Sequence, residues 1–510
     1  MTATSWVEGA DLGPFGLDHL PYGVFSTAKD PGPRIGVRIG DQVLDLRALA
    51  TGTFFLPWIR PAFHEHDLNG FMAMGPPAWR LVRHQLTELL SDRRFQDQSA
   101  TLLTPVAKAR MHLPFTVADY VDFYASEDHA ANLGRLFRPD AEPLLPNWKH
   151  LPVGYHGRAG TVVPSGTPIV RPRGQRKAKD GPLEFGPSAR LDIETEVGFV
   201  VGVGTELGTP VSPDDFTEHV FGAVLVNDWS ARDIQAWEYV PLGPFLGKSF
   251  ATSIGHWVTP LDALAGARTA APVQDPAPLG YLQETERFGY DLAMSVRWNG
   301  TEVSRPPFGG MYWTPAQMLA HMTVNGASLR TGDLYASGTV SGPEPDQRGS
   351  FLELTWGGKD PVEVGDGETR RFLEDGDTVV INATARSVNG GQIGLGEVSG
   401  TILPAKSLRP HSAVPKPPPS REGKVGPERR RSGRQQSAPK GLAGPRFTRS
   451  GEPGTSRSEG SGAPAASRLA APSRQASERA GPPRDVQAAG EPARPERFKP
   501  RSGPARPPPA

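Results

Sequence analysis

Acidic and apolar residues alternate in a short segment near the middle of this 510-residue chain. Over residues 191–200, Asp192, Glu194 and Glu196 are interleaved with Leu, Ile and Val. A β-strand sends alternate side chains to opposite faces, so Glu194 and Glu196 should project together from one face. Neighbouring carboxylates repel each other unless a cation lies between them, and hard divalent cations prefer oxygen ligands. The pattern fits a metal site, and it equally fits a strand with one solvated face.

A second acidic residue, Asp228, lies at the end of an apolar run, residues 221–226. If the residues after it form a helix, Asp228, Arg232, Gln235 and Tyr239 have a spacing that places them on one stripe. A polar stripe is typical of the solvent side of a helix. A carboxylate, a guanidinium, an amide and a phenol beside a strand end can also form the wall of a pocket, so both interpretations stay open.

A third group of chemically capable residues begins at Asp122. Asp122 and Tyr124 share a face if the segment is extended, and His129 is expected to follow within one loop. A lone histidine is more often structural than catalytic, so this proximity is only suggestive. The segment 243–249 resembles a phosphate loop, but three residues separate its glycines where four are required. Neither a nucleophile-elbow motif nor a zinc-helix motif is found in the sequence.

The composition narrows the class of protein. The sequence has no cysteine, which excludes disulfides, zinc thiolates and a cysteine nucleophile. Residues 407–510 contain 21 Lys and Arg against 8 Asp and Glu, whereas residues 1–406 have a net charge of −13. An acidic folded part does not favour a nucleic-acid partner. No signal peptide is evident, and no apolar run approaches the roughly 20 residues of a membrane span, so a cytoplasmic protein is expected.

Three regions are predicted along the chain. Residues 1–115 combine short strands with a helix near 79–90 and should form a small β-rich domain. Residues 116–406 contain many short strands separated by Gly, Pro, Asn and Asp, which predicts a large, mostly β domain. The predicted strands of this region include 162–163, 197–203, 221–226, 290–298, 351–356 and 378–384.

The third region, residues 407–510, is rich in Pro, Gly, Ser, Ala and Arg. Such a composition cannot bury enough apolar surface to offset the entropy lost on ordering, so this tail is predicted to be disordered. It could act as a basic interaction arm, or it could be a dispensable extension.

Longer segments of the chain resemble the fumarylacetoacetate hydrolase family. The resemblance rests on residues 20–27, 226–250 and 336–345, and it extends over nearly all of 1–406. It implies a mostly β fold, with a small N-terminal SH3-like barrel domain, a large mixed β-roll or sandwich catalytic domain, and then the tail. It implies a homodimeric enzyme that hydrolyses a C–C bond of 4-fumarylacetoacetate to give fumarate and acetoacetate, the last step of tyrosine and phenylalanine catabolism.

The resemblance also implies roles for individual residues. The ligands of Ca²⁺ or Mg²⁺ would be Asp122, Glu194, Glu196 and Asp228, with Lys248 and Thr252 near a further Mg²⁺. The catalytic residues would be His129 as the base, Glu353 to orient it, and Arg232 and Lys248 to stabilise negative charge. The contacts to the substrate would come from Tyr124, Arg138, Gln235, Tyr239 and Thr339.

Alternatives to this enzyme remain open from the sequence. A related diketone or acylpyruvate hydrolase would use the same acidic site on another small molecule. A non-catalytic calcium-binding protein would have a filled metal shell and no open pocket. A nucleic-acid-binding protein would depend on the basic tail alone. Neither a nucleic acid nor a membrane is expected as a partner.

Overall fold

The structure is a computed structural model that describes residues 4–177, 181–365 and 367–408. Nearly all of the predicted disordered tail, residues 409–510, lies outside the described residues, so its disorder stays a prediction. No helix in the described ranges is long and apolar enough to cross a membrane.

The N-terminal part is built on an antiparallel sheet in which the strands run in the order β4-β3-β2-β1-β5. The bounds of these strands are β1 (Tyr22–Ser26), β2 (Arg34–Ile39), β3 (Gln42–Asp45), β4 (Leu103–Pro105) and β5 (Arg110–Met111). The helices of this part are α1 (Leu46–Thr51), α2 (Asn69–Met72), α3 (Pro76–Ser91) and α4 (Gln96–Ser99). Helix α3 buries Val82, Leu86 and Leu89, whose spacing forms one apolar stripe, and it confirms the helix predicted near 79–90.

The larger part contains the remaining strands and helices. Its strands are β6 (Tyr120–Phe123), β7 (Gly154–His156), β8 (Val162–Pro164), β9 (Ile169–Val170), β10 (Arg173–Lys177), β11 (Leu183–Pro187), β12 (Leu191–Asp192), β13 (Thr195–Val201), β14 (Val220–Asp228), β15 (Ser230–Ala231), β16 (Thr252–Ile254), β17 (Thr259–Pro260), β18 (Arg268–Ala270), β19 (Phe288–Tyr290), β20 (Leu292–Trp298), β21 (Thr301–Ser304), β22 (Leu334–Ala336), β23 (Val362–Glu363), β24 (Thr369–Arg370), β25 (Thr378–Arg386) and β26 (Gln392–Leu403). Its helices are α5 (Glu127–Phe137), α6 (Phe216–His219), α7 (Arg232–Glu238), α8 (Pro315–Thr323) and α9 (Phe351–Leu354).

The main sheet of this part runs in the order β7-β6-β22-β13-β14-β16-β8, and β17 also pairs with β14. Strands β7 and β8 lie at opposite edges, although only residues 157–161 separate them in the chain. A flat sheet would place these edges about 29 Å apart, from six spacings of ~4.8 Å. The chain from the end of β7 at His156 to the start of β8 at Val162 takes six residue steps, which span at most roughly 21 Å. The sheet must therefore curl so that its two edges approach each other.

Both faces of the curled sheet are buried. On β14, Phe221, Val224 and Val226 pack into the core that contains the N-terminal sheet, whereas Ala223 and Leu225 pack into a second core. The second core includes residues of another sheet, whose strand order is β21-β20-β25-β26-β9. Burial on both sides explains why the sequence of β14 is continuously apolar until its last two residues.

One predicted strand is wrong. Residues 351–354 form helix α9, where a strand was expected over 351–356. The Ser350 hydroxyl caps this helix by accepting from the Glu353 N–H at 3.3 Å. The Asp192 carboxylate accepts from the N–H groups of Phe351 at 2.7 Å and Leu352 at 3.1 Å. These acceptors satisfy the first amides of a helical turn, which a strand pattern in the sequence does not reveal.

The prediction of a mostly β chain with a small N-terminal and a larger C-terminal domain is confirmed. The division into domains at 1–115, 116–406 and 407–510 stays a prediction.

Candidate active site

Four buried carboxylates converge at one end of the curled sheet. Asp122, Glu194, Glu196 and Asp228 each offer an oxygen, and these oxygens all lie within 4.8 Å of one another. On the antiparallel pair β13 and β14, Glu196 lies opposite Val226. The Asp228 N–H donates to the Glu194 carbonyl at 3.2 Å, which places those two residues opposite each other. Residues two apart on a strand share a face, so Glu194, Glu196 and Asp228 project together.

Asp122 reaches the same face from β6. Strand β22 lies between β6 and β13, and Ala336 of β22 pairs with Asp122 on one side and Gly198 on the other. Both intervening residues are small, so the carboxylates of Asp122 and Glu196 can meet over them. The sheet register thus brings together acidic residues from three strands.

Asp192 does not join this cluster, although it belongs to the same acidic run. The strand is interrupted after Asp192, because β12 pairs with β15 and β13 begins at Thr195. The Asp192 carboxylate accepts from Arg232 Nε at 2.8 Å as well as from two amides of α9. The alternative of a solvated face is wrong, since Asp192, Glu194 and Glu196 are all buried.

Two cations balance part of the negative charge. Arg232 Nη1 donates to Glu194 Oε1 at 2.8 Å, and Lys248 Nζ donates to Glu194 and, at 2.8 Å, to Asp228 Oδ2. Burial disfavours the charged form of Glu194, but Lys248 and Arg232 outweigh it and lower the pKa of this carboxyl. Thr252 Oγ1 donates to Asp228 Oδ1 at 2.6 Å. Lys248 and Thr252 therefore lie beside the cluster.

The other two carboxylates have no such compensation. Among the described residues, Asp122 Oδ1 and both carboxylate oxygens of Glu196 are buried without a hydrogen-bond partner. Burial, followed by the neighbouring carboxylates, raises the pKa of Asp122 and of Glu196. Buried polar atoms in native proteins nearly always have a partner, so these oxygens are suited to bind a cation. A donor set made only of oxygen favours Ca²⁺ or Mg²⁺ over zinc.

A histidine–glutamate pair lies in the same part of the large domain. His129 lies in the first turn of α5, which Ser126 caps, and not in a loop as the sequence suggested. His129 Nδ1 contacts Glu353 Oε2 at 2.6 Å, and both side chains are buried. Burial opposes ionisation of Glu353, but His129 and the other donors lower the pKa of its carboxyl. An ionised carboxylate only accepts, so Nδ1 carries a proton, and in the neutral ring Nε2 is then the acceptor.

Glu353 has further partners that the sequence did not indicate. Ser350 Oγ donates to Oε2 at 2.7 Å, Ser341 Oγ to Oε2 at 3.0 Å, and Asn132 Nδ2 to Oε1 at 3.0 Å. The spacing of Asn132, three residues after His129, would have been a signal once α5 was recognised as a helix. Ser350 contacts Glu353 locally, as the N-cap three residues before it in α9, whereas Ser341 comes from a loop outside this turn and its contact depends on the fold.

Tyr124 and Thr339 lie next to each other because of a close backbone approach. Gly338 has φ +73°, and a Cβ at this position would lie 2.2 Å from the Phe123 carbonyl oxygen, so only glycine fits. The Tyr124 ring meets the His129 ring edge-on, with centroids 5.3 Å apart. Thr339 Oγ1 is buried and has no hydrogen-bond partner among the described residues. A ligand placed beside Tyr124 could satisfy the Thr339 hydroxyl.

Of the remaining predicted contacts, Arg138 lines a cavity with Tyr124, Gln235 contacts Arg232, and Tyr239 lies apart. A cavity of about 130 Å³ is lined by Arg138, Tyr124 and Trp148, among others. Gln235 Oε1 accepts from Arg232 Nη1 at 3.2 Å, but Tyr239 follows α7 and is 50% exposed.

The helical stripe predicted from the sequence is wrong in part. Asp228 belongs to strand β14, and the helix begins only at Arg232. Asp228 therefore shares the site with Arg232 through the sheet and not through a common helix face.

Tyr155 is a residue of the site that the sequence analysis missed. Its hydroxyl donates to Asp228 Oδ2 at 3.0 Å, because β7 pairs with β6 and places Tyr155 opposite Asp122. Tyr155, Asp228 and Lys248 are among the residues that line a cavity of about 330 Å³. Nothing in the local sequence of β7 indicated this contact.

Known proteins match most of this sequence. A family model described as "Fumarylacetoacetase N-terminal" matches residues 18–114, and one described as "Fumarylacetoacetate (FAA) hydrolase C-terminal" matches residues 119–403. The chain is 49% identical over 416 residues to a protein of Homo sapiens named fumarylacetoacetase, covering 79% of this chain and 99% of that protein. It is 49% identical over 418 residues to fumarylacetoacetase of Rattus norvegicus, with the same coverage.

A plant relative is similar to nearly the same extent. Fumarylacetoacetase of Oryza sativa subsp. japonica is 46% identical over 419 residues, covering 79% of this chain and 97% of that protein. Two adjoining family models and near-complete coverage of these relatives lead to one conclusion: this chain belongs to the fumarylacetoacetate hydrolase family.

Proposed function

We propose that this protein is a hydrolase that cleaves a C–C bond of 4-fumarylacetoacetate to give fumarate and acetoacetate, the last step of tyrosine and phenylalanine catabolism. The observation that carries the proposal is a buried cluster of four carboxylates in the same domain as a hydrogen-bonded His129–Glu353 pair. The relatives that match nearly their whole length to this chain are named fumarylacetoacetase, which supports the same reaction. A related diketone or acylpyruvate hydrolase is the second, less favoured candidate.

The four carboxylates would hold a divalent cation, Ca²⁺ or Mg²⁺. The unpartnered oxygens of Asp122 and Glu196 support this assignment. When bound, such a cation supplies Lewis-acid stabilisation of the negative charge that a cleaved 1,3-diketone leaves on oxygen. We assign Thr252 and the backbone carbonyl of Lys248 to a further Mg²⁺ site beside Asp228, whose carboxylate both side chains contact.

His129 would be the general base. Its Nδ1 proton is held by Glu353, so Nε2 accepts a proton from water as the water oxygen adds to one carbonyl carbon of the diketone. The tetrahedral adduct then breaks its C–C bond, and the departing carbon takes up a proton to complete acetoacetate. Glu353 stabilises the imidazolium between these two proton transfers and fixes the ring tautomer.

Lys248 and Arg232 would stabilise the negative charge of the adduct. Lys248 uses two of its three N–H groups on Glu194 and Asp228, which leaves one for an oxyanion. Arg232 is held by Asp192 and Glu194, so its charge is fixed in place before the substrate binds.

The substrate contacts follow from the same arrangement. We assign them to Tyr124, Arg138, Gln235, Tyr239 and Thr339. Arg138 suits a carboxylate end of the substrate because guanidinium and carboxylate pair in a fork geometry, and its Nε has no partner among the described residues. Tyr239 would contact the substrate only if its segment moves toward the carboxylate cluster.

We further propose a homodimer, as the family resemblance implies. A surface of exposed apolar residues supports it: Phe185 lies on the hairpin of β10 and β11, and Trp237, Val240, Leu242 and Phe245 follow in or after α7. Trp237 Nε1 donates to Gln175, which pairs with Phe185, so the hairpin and the α7 segment are contiguous. Large exposed apolar patches mark interaction sites. A cytoplasmic location stays a prediction.

The two other classes of function have less support. An exclusively structural calcium site does not require the cavity of about 330 Å³ beside Asp228 and Lys248. A nucleic-acid-binding role would depend on the tail, which lies almost entirely outside the described residues.

The substrate assignment predicts the outcome of an assay on a panel of diketones. The purified protein should hydrolyse fumarylacetoacetate with a kcat/KM at least tenfold above that for acylpyruvates and simpler 1,3-diketones. Loss of the diketone absorbance measures each rate, and chromatography identifies fumarate and acetoacetate. A higher kcat/KM for an acylpyruvate would transfer the function to the second candidate.

The metal assignment predicts that Asp228→Ala nearly abolishes turnover and weakens Ca²⁺ and Mg²⁺ binding, because the cluster loses a ligand that three other side chains orient. Calorimetric titration of chelator-treated protein measures the binding. Asp97→Ala, on the exposed surface, is the matched control and should bind and turn over like the wild type. Full activity in exhaustively chelated wild-type protein would reject the metal role.

The assignment of the base predicts that His129→Asn keeps the fold, metal binding and substrate affinity while kcat falls by roughly 10²–10⁴. Glu353→Gln should lower kcat as well, and the double variant should lose much less than the product of the two effects, since the residues act as a unit. Steady-state kinetics provide the check. Near-normal turnover in His129→Asn would exclude it as the base.

The dimer assignment predicts that Leu242→Glu shifts the protein from dimer to monomer. The Leu242 side chain is 96% exposed in the single chain. A charge in an apolar interface is left without a partner, which opposes association. Leu12→Glu is the control and should leave the oligomeric state unchanged. Leu12 is similarly exposed, at 92%, but lies in the N-terminal part and outside the proposed interface. Sedimentation velocity distinguishes the states, and a monomeric wild type at micromolar concentration would contradict the proposal.

A further inference from the structure

A chain of hydrogen bonds connects the surface of helix α5 to the proposed base. Arg135 Nη1 donates to Asn132 Oδ1 at 3.1 Å, and Asn132 Nδ2 donates to Glu353 Oε1 at 3.0 Å. His129 Nδ1 contacts the other oxygen of the same carboxylate at 2.6 Å. His129, Asn132 and Arg135 are three residues apart, so they follow one another along one side of α5.

Arg135 decides which way the Asn132 amide points. A carboxamide has an oxygen that accepts and a nitrogen that donates, whereas a guanidinium only donates. With Oδ1 facing Arg135, Nδ2 must face Glu353. The opposite orientation would set the amide oxygen against a carboxylate oxygen and the amide nitrogen against a donor.

The two carboxylate oxygens of Glu353 accept hydrogen bonds from different donors. Oε2 accepts from His129, Ser341 and Ser350. Oε1 accepts from Asn132, its one donor within the described part of the chain. The carboxylate has no exposed surface. Without Asn132, a buried charged oxygen would be left unsatisfied, and the carboxylate could turn to share the donors now on Oε2.

We propose that Asn132, oriented by Arg135, is a positioning residue that holds the Glu353 carboxylate with Oε2 toward the His129 imidazole. Its kinetic consequence rests on the proposed function, whereas its effect on the histidine does not. Among the described residues, the other titratable or charged groups that face the Glu353–His129 pair are Tyr124, Asp128, Glu194 and Arg348, the last of which donates to the Glu353 carbonyl.

The test uses Asn132→Leu, which keeps the size of the side chain but removes the donor. The substitution removes the positive end of the Asn132 N–H dipole from beside the Glu353–His129 pair. The positively charged imidazolium is then favoured, so the pKa of His129 should rise. Because the base must be neutral, the acid limb of kcat/KM should move up by about one pH unit, the equivalent of one hydrogen bond to a charged group. We expect kcat near neutral pH to fall roughly tenfold, with KM within about twofold of the wild type.

A second measurement does not depend on turnover. Nitrogen NMR of the His129 ring, assigned by its loss in His129→Asn, should show the same upward shift in Asn132→Leu. Arg135→Ala, at an exposed position, should shift both readouts in the same direction by less, and it carries the test if Asn132→Leu does not fold. Asn325→Leu is the matched control at an exposed asparagine and should change neither.

The outcomes are separable. If kcat falls while the pH profile and the His129 titration stay at their wild-type positions, Asn132 has only a structural role and the proposal is overturned. If the wild type does not hydrolyse fumarylacetoacetate, the proposed function fails, and the His129 titration in the variants still decides the positioning role. An unchanged titration in both Asn132→Leu and Arg135→Ala overturns it.

Discussion

Charge balance among buried carboxylates is the constraint on which the rest of this structure depends. Burying four acidic side chains within 4.8 Å of one another is costly unless cations compensate them. Lys248 and Arg232 compensate Glu194 and Asp228, and Asp192 in turn holds Arg232. Asp122 and Glu196 are left to a cation that this oxygen-only site is suited to bind.

The curled sheet makes such a cluster possible. Its strand order brings β6, β13 and β14 within reach of one another, with β22 between the first two. Small residues on β22 and β13 leave room for the acidic side chains, and apolar packing on both faces fixes the register. A slip of one residue would turn Glu196 or Asp228 to the opposite face, so the packing of the two cores also secures the site.

Contacts between two helices, and not the curled sheet, position the proposed base. Helix α5 presents His129 and Asn132 from successive turns, while the short helix α9 presents Glu353 from a segment more than two hundred residues later in the chain. The amides at the start of α9 are held by Asp192, which also holds Arg232. One carboxylate therefore links the orientation of the proposed base to the charge balance of the metal cluster.

Local patterns in the sequence predict several elements and candidate residues of this protein. The alternation around Glu194 and Glu196, the strand end at Asp228 and the helix near 79–90 follow from periodicities of two and 3.6 residues, which depend only on near neighbours. The resemblance over residues 226–250 supplied the family. The same local patterns gave 351–356 as a strand, because the acceptor that starts α9 lies on a distant strand.

Which of these residues meet depends on long-range packing, which local patterns do not contain. Asp192 and Glu194 are two positions apart and looked equivalent, yet one anchors Arg232 and the other joins the cluster, because the strand breaks between them. Tyr155 and Asn132 had no sequence signal strong enough to single them out. Their contacts with Asp228 and Glu353 come from strand pairing and helix placement across long separations, and such contacts are set by packing and not by local sequence.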